Sequence, residues 1–569
     1  MPENTDIYQE RLTNLRTAIE QVECDGYIIP RTDEFQGEFL APYAERLAWL
    51  TGFTGSAGAA IVTKDKAAVL SDGRYTIQLE QQVPEIYERV DITKTNIAEW
   101  LNTNTNDEMV IAYDPWLLTP AQLSKIHEKN ITLRAIEDNL IDQVWQDQPK
   151  RTVEEITIFP DEIAGKTSKE KRTELSEEME GEAQLITAGD SICWLLNVRG
   201  ADIDFSPLIH SYALLYKDNT VDWFLDHELD ETLRKHLGVD VRIFKREEMA
   251  QRLMFKVIGR DPKTAPAWFN KFDVMDSPDP CEHPKSIKTE QEQCAIREAH
   301  IHDGVAMVKF LKWLDETTQP QTELSVEQKL ETFRHENPDY LGGSFSTIAG
   351  FAGNGAIVHY RATEETNQKI AGDNLLLIDS GGQYRWGTTD ITRTIAIGEP
   401  TQAMKTHYTA VLKAHIAVAS ARVKQGTIGK DVDAIARAPL KALGLDYAHG
   451  TGHGVGCYLC VHEVAANLSP REEKQLEAGM LISNEPGYYE EDNYGIRLEN
   501  LVLVQHDKQT DELYFETVTY APFDKRLIAM NELSDAEQAW LENYNKACFE
   551  SVSPHLDETT YNWLQRVLS

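Results

Sequence analysis

Five ionisable residues in the last third of the chain stand where a charge is costly, and their placement constrains the fold more than any other feature. Asp379 ends the apolar run Leu375-Leu376-Leu377-Ile378, and Asp390 follows the turn-like SGGQYRWGTT and opens ITRTIAI. The two aspartates are therefore expected to face each other across a hairpin. His453 lies in HGTGHGVG, read as a turn whose small neighbours let backbone or ligand approach closely. Glu485, in ISNEPGYY, has Pro486-Gly487 fixing a turn behind it. Glu499, in GIRLENLVLV, comes two residues after Arg497 and so shares its strand face. Singly, each reads as a satisfied buried polar group. Together they demand several buried cations, and the nearest basic residues are Arg385, Arg393 and Arg497. Carboxylates gathered in an apolar sheet repel unless a cation lies between them, so a shared metal centre is the economical account. Such a hard, oxygen-rich set suits manganese or a similar ion better than a thiolate-loving one. So many carboxylates also suggest two ions about 3.5–4 Å apart, bridged by carboxylates and a water.

A chain of 569 residues has room for three or four domains around such a centre. Residues 25–140 alternate strand candidates (DGYIIP, AAIVT, AAVLSDGRY, MVIAYD, ITLRAI) with helix-like stretches, the pattern of an α/β layer. SICWLLNV, SYALLY and TVDWFL supply strands for a second α/β unit of similar order, which hints at duplication without a clear sequence repeat. DSPDPCEHPK, with Pro278, Pro280 and Pro284, reads as a linker near 276–286. Beyond it Ile301, Val305, Val308 and Leu311 mark one helical face, and further helices are expected over 403–423 and 430–443. Leu533-Ser534-Asp535-Ala536-Glu537 forms a capping box that starts a C-terminal helix. The expected domains are 1–145, 146–286 and 287–569, the last with an extension from about 505.

Charge and cysteine content narrow the function. Lys and Arg total 56 against 93 Asp and Glu, a net charge of −37, which argues against nucleic-acid or membrane binding. No apolar run approaches the roughly 18 residues that span a bilayer, and the polar, acidic start MPENTDIYQERL is unlike a signal peptide. Seven scattered cysteines are not a disulfide framework, so a reducing, cytoplasmic setting is expected. HGTGHGVG fails the dinucleotide fingerprint, GTIGKD fails the phosphate-loop pattern, and TGSAG at 54–58 lacks the first glycine of a nucleophile elbow. His462-Glu463-Val464-Ala465-Ala466 lacks the second histidine of a zincin helix. Cys457-Tyr458-Leu459-Cys460 reads as two buried strand cysteines rather than a zinc or redox pair.

HYRAT, LIDSGGQY, GTTDITRT, HGTGHGVG, VHE, NEPGYY and GIRLEN resemble, in order and spacing, the catalytic domain of the Xaa-Pro aminopeptidases (aminopeptidase P) among the pita-bread metallopeptidases. APYAERLAWLTGFTGSAG with SDGRY, LLNVRGADIDFSPLIHSYALL, and the tail FETVTYAPFDKRLI extend the resemblance to the long three-domain form. It implies two creatinase-N-like α/β domains, a pita-bread catalytic domain and a C-terminal extension. It implies that Asp379, Asp390, His453, Glu485 and Glu499 hold two divalent ions, manganese foremost with cobalt, zinc or iron open. Asp390 and Glu499 would bridge, and Glu485 would also shuttle the proton of the attacking water. His359 and His462 match substrate-side histidines and His449 a further active-site histidine, while Arg497 fits a partner of the ligand carboxylates. The implied activity is release of the N-terminal residue ahead of a penultimate proline, by a homodimer. Prolidase chemistry on dipeptides is the alternative, and a non-catalytic peptide-binding relative a further one.

Overall fold

The computed structural model describes residues 5–104, 108–126, 130–254 and 256–569. The chain divides into two compact units, Met1–Phe159 with Thr167–Cys281, and Pro160–Lys166 with Glu282–Ser569.

The first unit holds two six-stranded sheets. Strands of the first are Gly26–Pro30, Ala59–Thr63, Ala67–Ser71, Glu88–Asp91, Met109–Tyr113 and Ile131–Ala135. Numbered in chain order they run 4-3-2-1-5-6 across the sheet. Strands of the second are Ala183–Ile186, Tyr212–Tyr216, Val221–Phe224, Val241–Phe244, Ile258–Arg260 and Val274–Asp276, in the same spatial order. The senses agree as well: strand 1 is antiparallel to 2 and parallel to 5 in both. The similar order read from sequence is thus a shared topology. Glu88–Asp91, with only one buried residue in its four, carries too little apolar signal to be anticipated. SICWLLNV is not a strand: Gly189–Leu196 is a buried helix closed by Asn197 in the left-handed region at φ 51°. A short, wholly buried apolar run has no periodicity to separate the two states. The halves meet where Trp116 stacks on Trp268 at 4.1 Å and Phe35 on His210 at 4.3 Å.

In the second unit, Ile348–Phe351, Asn374–Ser380 and Ile391–Ile397 form an antiparallel three-stranded sheet. A second, wholly antiparallel sheet runs Arg422–Lys424, Glu512–Thr517, Asn500–Asp507, Leu481–Asn484, Gly452–Gly454, Glu463–Leu468. Helices Glu290–Glu316 and Glu323–Arg334 cover the small sheet, packing Met307, Phe310, Val326 and Leu330 on Leu376, Ile378 and Ile395. Of the expected face, Val308 and Leu311 are buried in the core while Ile301 and Val305 are only half-buried. Asp303 also turns inward, accepting from Arg334 Nε at 2.8 Å, a buried polar contact that an apolar pattern does not register. Helices Gln402–Ala419 and Gly429–Lys441 pack on the larger sheet through Val418, Val432 and Ala436. Pro284, read as linker, sits inside the short helix Glu282–Ser286, where a first-turn proline sacrifices no helical hydrogen bond. Ser534 caps Asp535–Val552 with Glu537 closing the box, as the sequence indicates.

The C-terminal segment is tied to the small sheet by Asp524 and Arg526, which bond to the Ala396 backbone, and above all by Arg393. Arg393, fully buried, donates to the carbonyls of Pro522, Ala521, Thr392 and Glu499, and to Asn500 Oδ1 and Tyr544 Oη, at 2.7–3.2 Å. Its charge is dispersed over neutral acceptors, so it neutralises no carboxylate of the site.

Candidate metal centre

The four acids of the centre sit at or just beyond the end of a strand or in a short break between strands, where the backbone turns them inward. Asp379 is the penultimate residue of its strand, and its cross-strand partner is Thr392, not Asp390. Asp390 lies one residue before the partner strand, and because residues 390 and 392 have equal parity it reaches the same face. The hairpin expected between the aspartates is therefore real but offset, since Gly382–Tyr384 and Gly387–Thr388 pair into a second ladder at its tip. His453 occupies the strand Gly452–Gly454 rather than a turn, with a register irregularity on either side of it. Gly452 is obligatory there: a Cβ would stand 1.8 Å from the Ser483 carbonyl oxygen. Arg497 and Glu499 do not share one strand; Glu499 lies in the break between Tyr494–Arg497 and Asn500–Asp507. They converge all the same on Thr392 Oγ1, which donates to Glu499 Oε2 at 2.7 Å and accepts from Arg497 Nε at 3.3 Å.

Asp390, His453 and Glu499 bring one donor atom each within 4.8 Å of one another. His453 Nε2 is 3.4 Å from Asp390 Oδ2 and 3.6 Å from Glu485 Oε1. Asp379 Oδ2 accepts from Arg497 Nη2 at 2.5 Å. Four carboxylates therefore face one guanidinium and one imidazole. Burial pushes Asp379 up to about 6 against the pull of Arg497, and burial with the nearby Asp390 charge drives Glu499 well above the usual range. Burial opposes protonation of His453, but its hydrogen bond to Asp390 and the Glu485 charge outweigh it and hold it up, at about 9. The strain has a specific remedy. Among the described residues the buried oxygens Asp379 Oδ1 and Asp390 Oδ1 accept no hydrogen bond, so the set has both the charge deficit and the open lone pairs that divalent cations fill. The residues present fit the metal centre.

The remaining expected histidines range from exposed to half-buried. His462 is exposed and its ring lies 4.4 Å from that of His453. His359 is half-buried, one residue after Val358, whose carbonyl accepts from Arg497 Nη2 at 3.5 Å. His449 Nε2 contacts Tyr489 Oη at 2.8 Å, and Tyr489 Oη accepts from Arg497 Nη1 at 2.7 Å. Burial holds His449 below the usual imidazole range. Tyr489, Thr392 and Ser483 escaped the sequence reading. Ser483 Oγ accepts from His453 N at 2.9 Å and donates to Glu485 Oε1 at 3.2 Å. Their one signal is parity, since Thr392 stands two residues from Asp390 and Ser483 two from Glu485. Arg385 is exposed and plays no part in the described site. Cys457 and Cys460 lie in the connection between two strands rather than in them, and Cys457 Sγ donates to the Trp386 carbonyl at 3.3 Å.

Buried carboxylates with open lone pairs and an imidazole among them define a divalent-metal centre. Residues 294–506 match the model of metallopeptidase family M24 and 512–568 that of its C-terminal region, while 11–143 and 147–292 each match a creatinase/prolidase N-terminal domain. A Paracoccidioides brasiliensis (strain Pb03) protein described as "Probable Xaa-Pro aminopeptidase P" is 36% identical, covering 98% of both chains. Aminopeptidase P1 of Arabidopsis thaliana is 32% identical over the same shares. The crystal structure of X-prolyl aminopeptidase from Caenorhabditis elegans, described as a cytosolic enzyme with a di-nuclear active site, superposes with a TM-score of 0.93 at 30% identity over 99% of both chains. Prolidase from Pyrococcus horikoshii superposes with a TM-score of 0.53 at 27% identity, covering 63% of this chain and 99% of its own. The chain belongs to metallopeptidase family M24. Its fold is two creatinase-type α/β domains, the M24 catalytic domain and a C-terminal region. Among the described residues no helix is long and apolar enough to cross a membrane.

Proposed function

We propose that this chain is an Xaa-Pro aminopeptidase, hydrolysing the bond between an N-terminal residue and a penultimate proline. The observation that carries the reading is the convergence of Asp379, Asp390, His453, Glu485 and Glu499 on one acidic centre, in a chain matched over its whole length by aminopeptidases of that specificity. We assign those five residues as ligands of two divalent ions, manganese foremost on the hardness of the donors. When bound, the ions supply Lewis acidity, lowering the pKa of water and polarising the scissile carbonyl.

The chain's own groups complete the hydrolysis. Glu485, steadied by Ser483, accepts a proton from the attacking water. The water's oxygen bonds to the carbonyl carbon, the C–N bond breaks, and the proton passes from Glu485 to the proline nitrogen, which leaves as an amine. We assign His359 and His462 as donors to the developing oxyanion. Arg497 fixes Asp379, and Tyr489 hands that constraint on to His449. A proline nitrogen in peptide linkage has no hydrogen to donate, so the pocket must select the ring by shape. The reading includes domain boundaries near 145 and 286, drawn from a change in composition and the proline-rich linker, a cytoplasmic setting, drawn from the scattered cysteines, and a homodimer, which rests on the resemblance.

Two measurements test it. An Xaa-Pro-Yaa tripeptide supplied with manganese is expected to release its first residue, with little cleavage of the Xaa-Pro dipeptide. Dipeptide-only cleavage would instead make the chain a prolidase. Replacing His359 by alanine is expected to leave two ions per chain while cutting turnover about 10²–10³-fold, the cost of losing an oxyanion donor. Metal loss in that variant would make His359 a ligand.

A further inference from the structure

Glu323 is a wholly buried carboxylate for which no ion pair occurs among the described residues. It stands at the first position of the helix Glu323–Arg334, behind an N-cap supplied by Thr322. Its charge is met entirely by donors from one segment. Oε1 accepts from the backbone N–H of Phe351 at 2.8 Å and from Asn354 Nδ2 at 2.9 Å. Oε2 accepts from the Tyr360 hydroxyl and from the backbone N–H of Gln368, each at 2.9 Å. The helix adds two bonds of its own: Glu323 N–H donates to the Gln368 carbonyl at 3.1 Å, and Leu324 N–H to Asn367 Oδ1 at 3.1 Å.

These donors bracket a loop. Phe351 ends the strand paired with the strand of Asp379, Gln368 closes the far side, and His359 lies between them. On either side of His359 the chain is pinned: the Val358 carbonyl by Arg497, and Tyr360 by Glu323. A helix N-terminus favours the carboxylate, and hydrogen bonds to an ionised acceptor are the stronger kind. We propose that Glu323 is a positioning residue for His359, clamping both ends of the loop so that the imidazole holds its place beside the carboxylate centre. The proposal rests on the aminopeptidase reading of that centre.

Glutamine at 323 tests the clamp because a carboxylate only accepts, whereas an amide must place an NH₂ at one of the two oxygen positions. At either position it would meet a backbone N–H, of Phe351 or of Gln368, which cannot reverse its polarity. Glu323→Gln is expected to keep two ions per chain and to lower kcat about ten- to a hundredfold, as displaced catalytic groups do, with KM changed far less. In a His359→Ala background the same substitution is expected to change kcat/KM less than about twofold, because effects exerted through one residue are not additive. A full, additive loss in that background overturns the proposal, as does wild-type turnover by the single variant. If Glu323→Gln does not fold, Tyr360→Phe removes one donor and runs the same cycle with a smaller effect. Amide exchange reports independently of substrate: Glu323→Gln, or Tyr360→Phe in its place, should quicken exchange in 352–368 and leave 374–380 protected. Unchanged exchange in the loop overturns the clamp, whereas a wild-type protein that cleaves no Xaa-Pro peptide overturns the aminopeptidase reading instead.

Discussion

Asp390→Ala is expected to fold normally and to turn over Xaa-Pro-Yaa peptides more than about a hundredfold more slowly than the wild type, beyond the cost of disturbing a mere partner of a ligand. Asp390 is buried, its Oδ2 is 3.4 Å from His453 Nε2, and its Oδ1 has no hydrogen-bond partner among the described residues. Removing it withdraws one negative charge from a cluster that repels itself, which offsets the loss of its contact with His453 in the metal-free protein. What disappears is the cation's hold, and with it the added stability that a ligand binding only the folded state confers. Metal content, melting temperature with and without manganese, and kcat together check the prediction. Retention of both ions and full turnover would remove Asp390 from the centre.

Glu485→Gln separates proton transfer from ligation. The amide keeps the side-chain shape and can still accept from Ser483 Oγ, 3.2 Å away in the wild type, but it cannot take a proton from water and pass it to a leaving amine. Loss of a general acid–base group lowers kcat by about 10²–10⁴-fold. With the ions retained and KM little changed, that loss belongs to the proton transfer. Loss of an ion together with activity would assign Glu485 to ligation alone, and unchanged kcat would remove it from the proton path.

The reach of the sequence over this centre follows from which residues are out of place in a strand. Asp379 after four apolar residues and Asp390 before ITRTIAI advertise themselves, because burying an unpaired carboxylate is expensive and demands a reason. Thr392 and Tyr489 do not: both types are at home in strands, and only the fold shows that one links Glu499 to Arg497 and the other His449 to Arg497. The same blindness hid the burial of Asp303 and Glu323, since a polar residue within a helical pattern is read as solvent-facing until its partner, distant in sequence, is known. Gly189–Leu196 failed for a different reason, an apolar run too short for its period to be counted. The two N-terminal sheets only hinted at their shared order: of the three runs read as strands in the second, SYALLY and TVDWFL are strands and SICWLLNV is not.

The web of bonds around Arg393 has a consequence in time. One of its nitrogens holds the Glu499 carbonyl, and its other acceptors include Ala521, Pro522 and Tyr544, residues made late in synthesis. Chains are made from the N-terminus and domains fold as they emerge, so the creatinase-type domains can be complete while the acidic centre still lacks its backing. The backing of the centre is therefore complete only once Tyr544 has been made. A molecule clipped before Tyr544 would keep all five residues of the acidic centre and the Ala521 and Pro522 carbonyls, but would lose the hydroxyl that also accepts from Arg393.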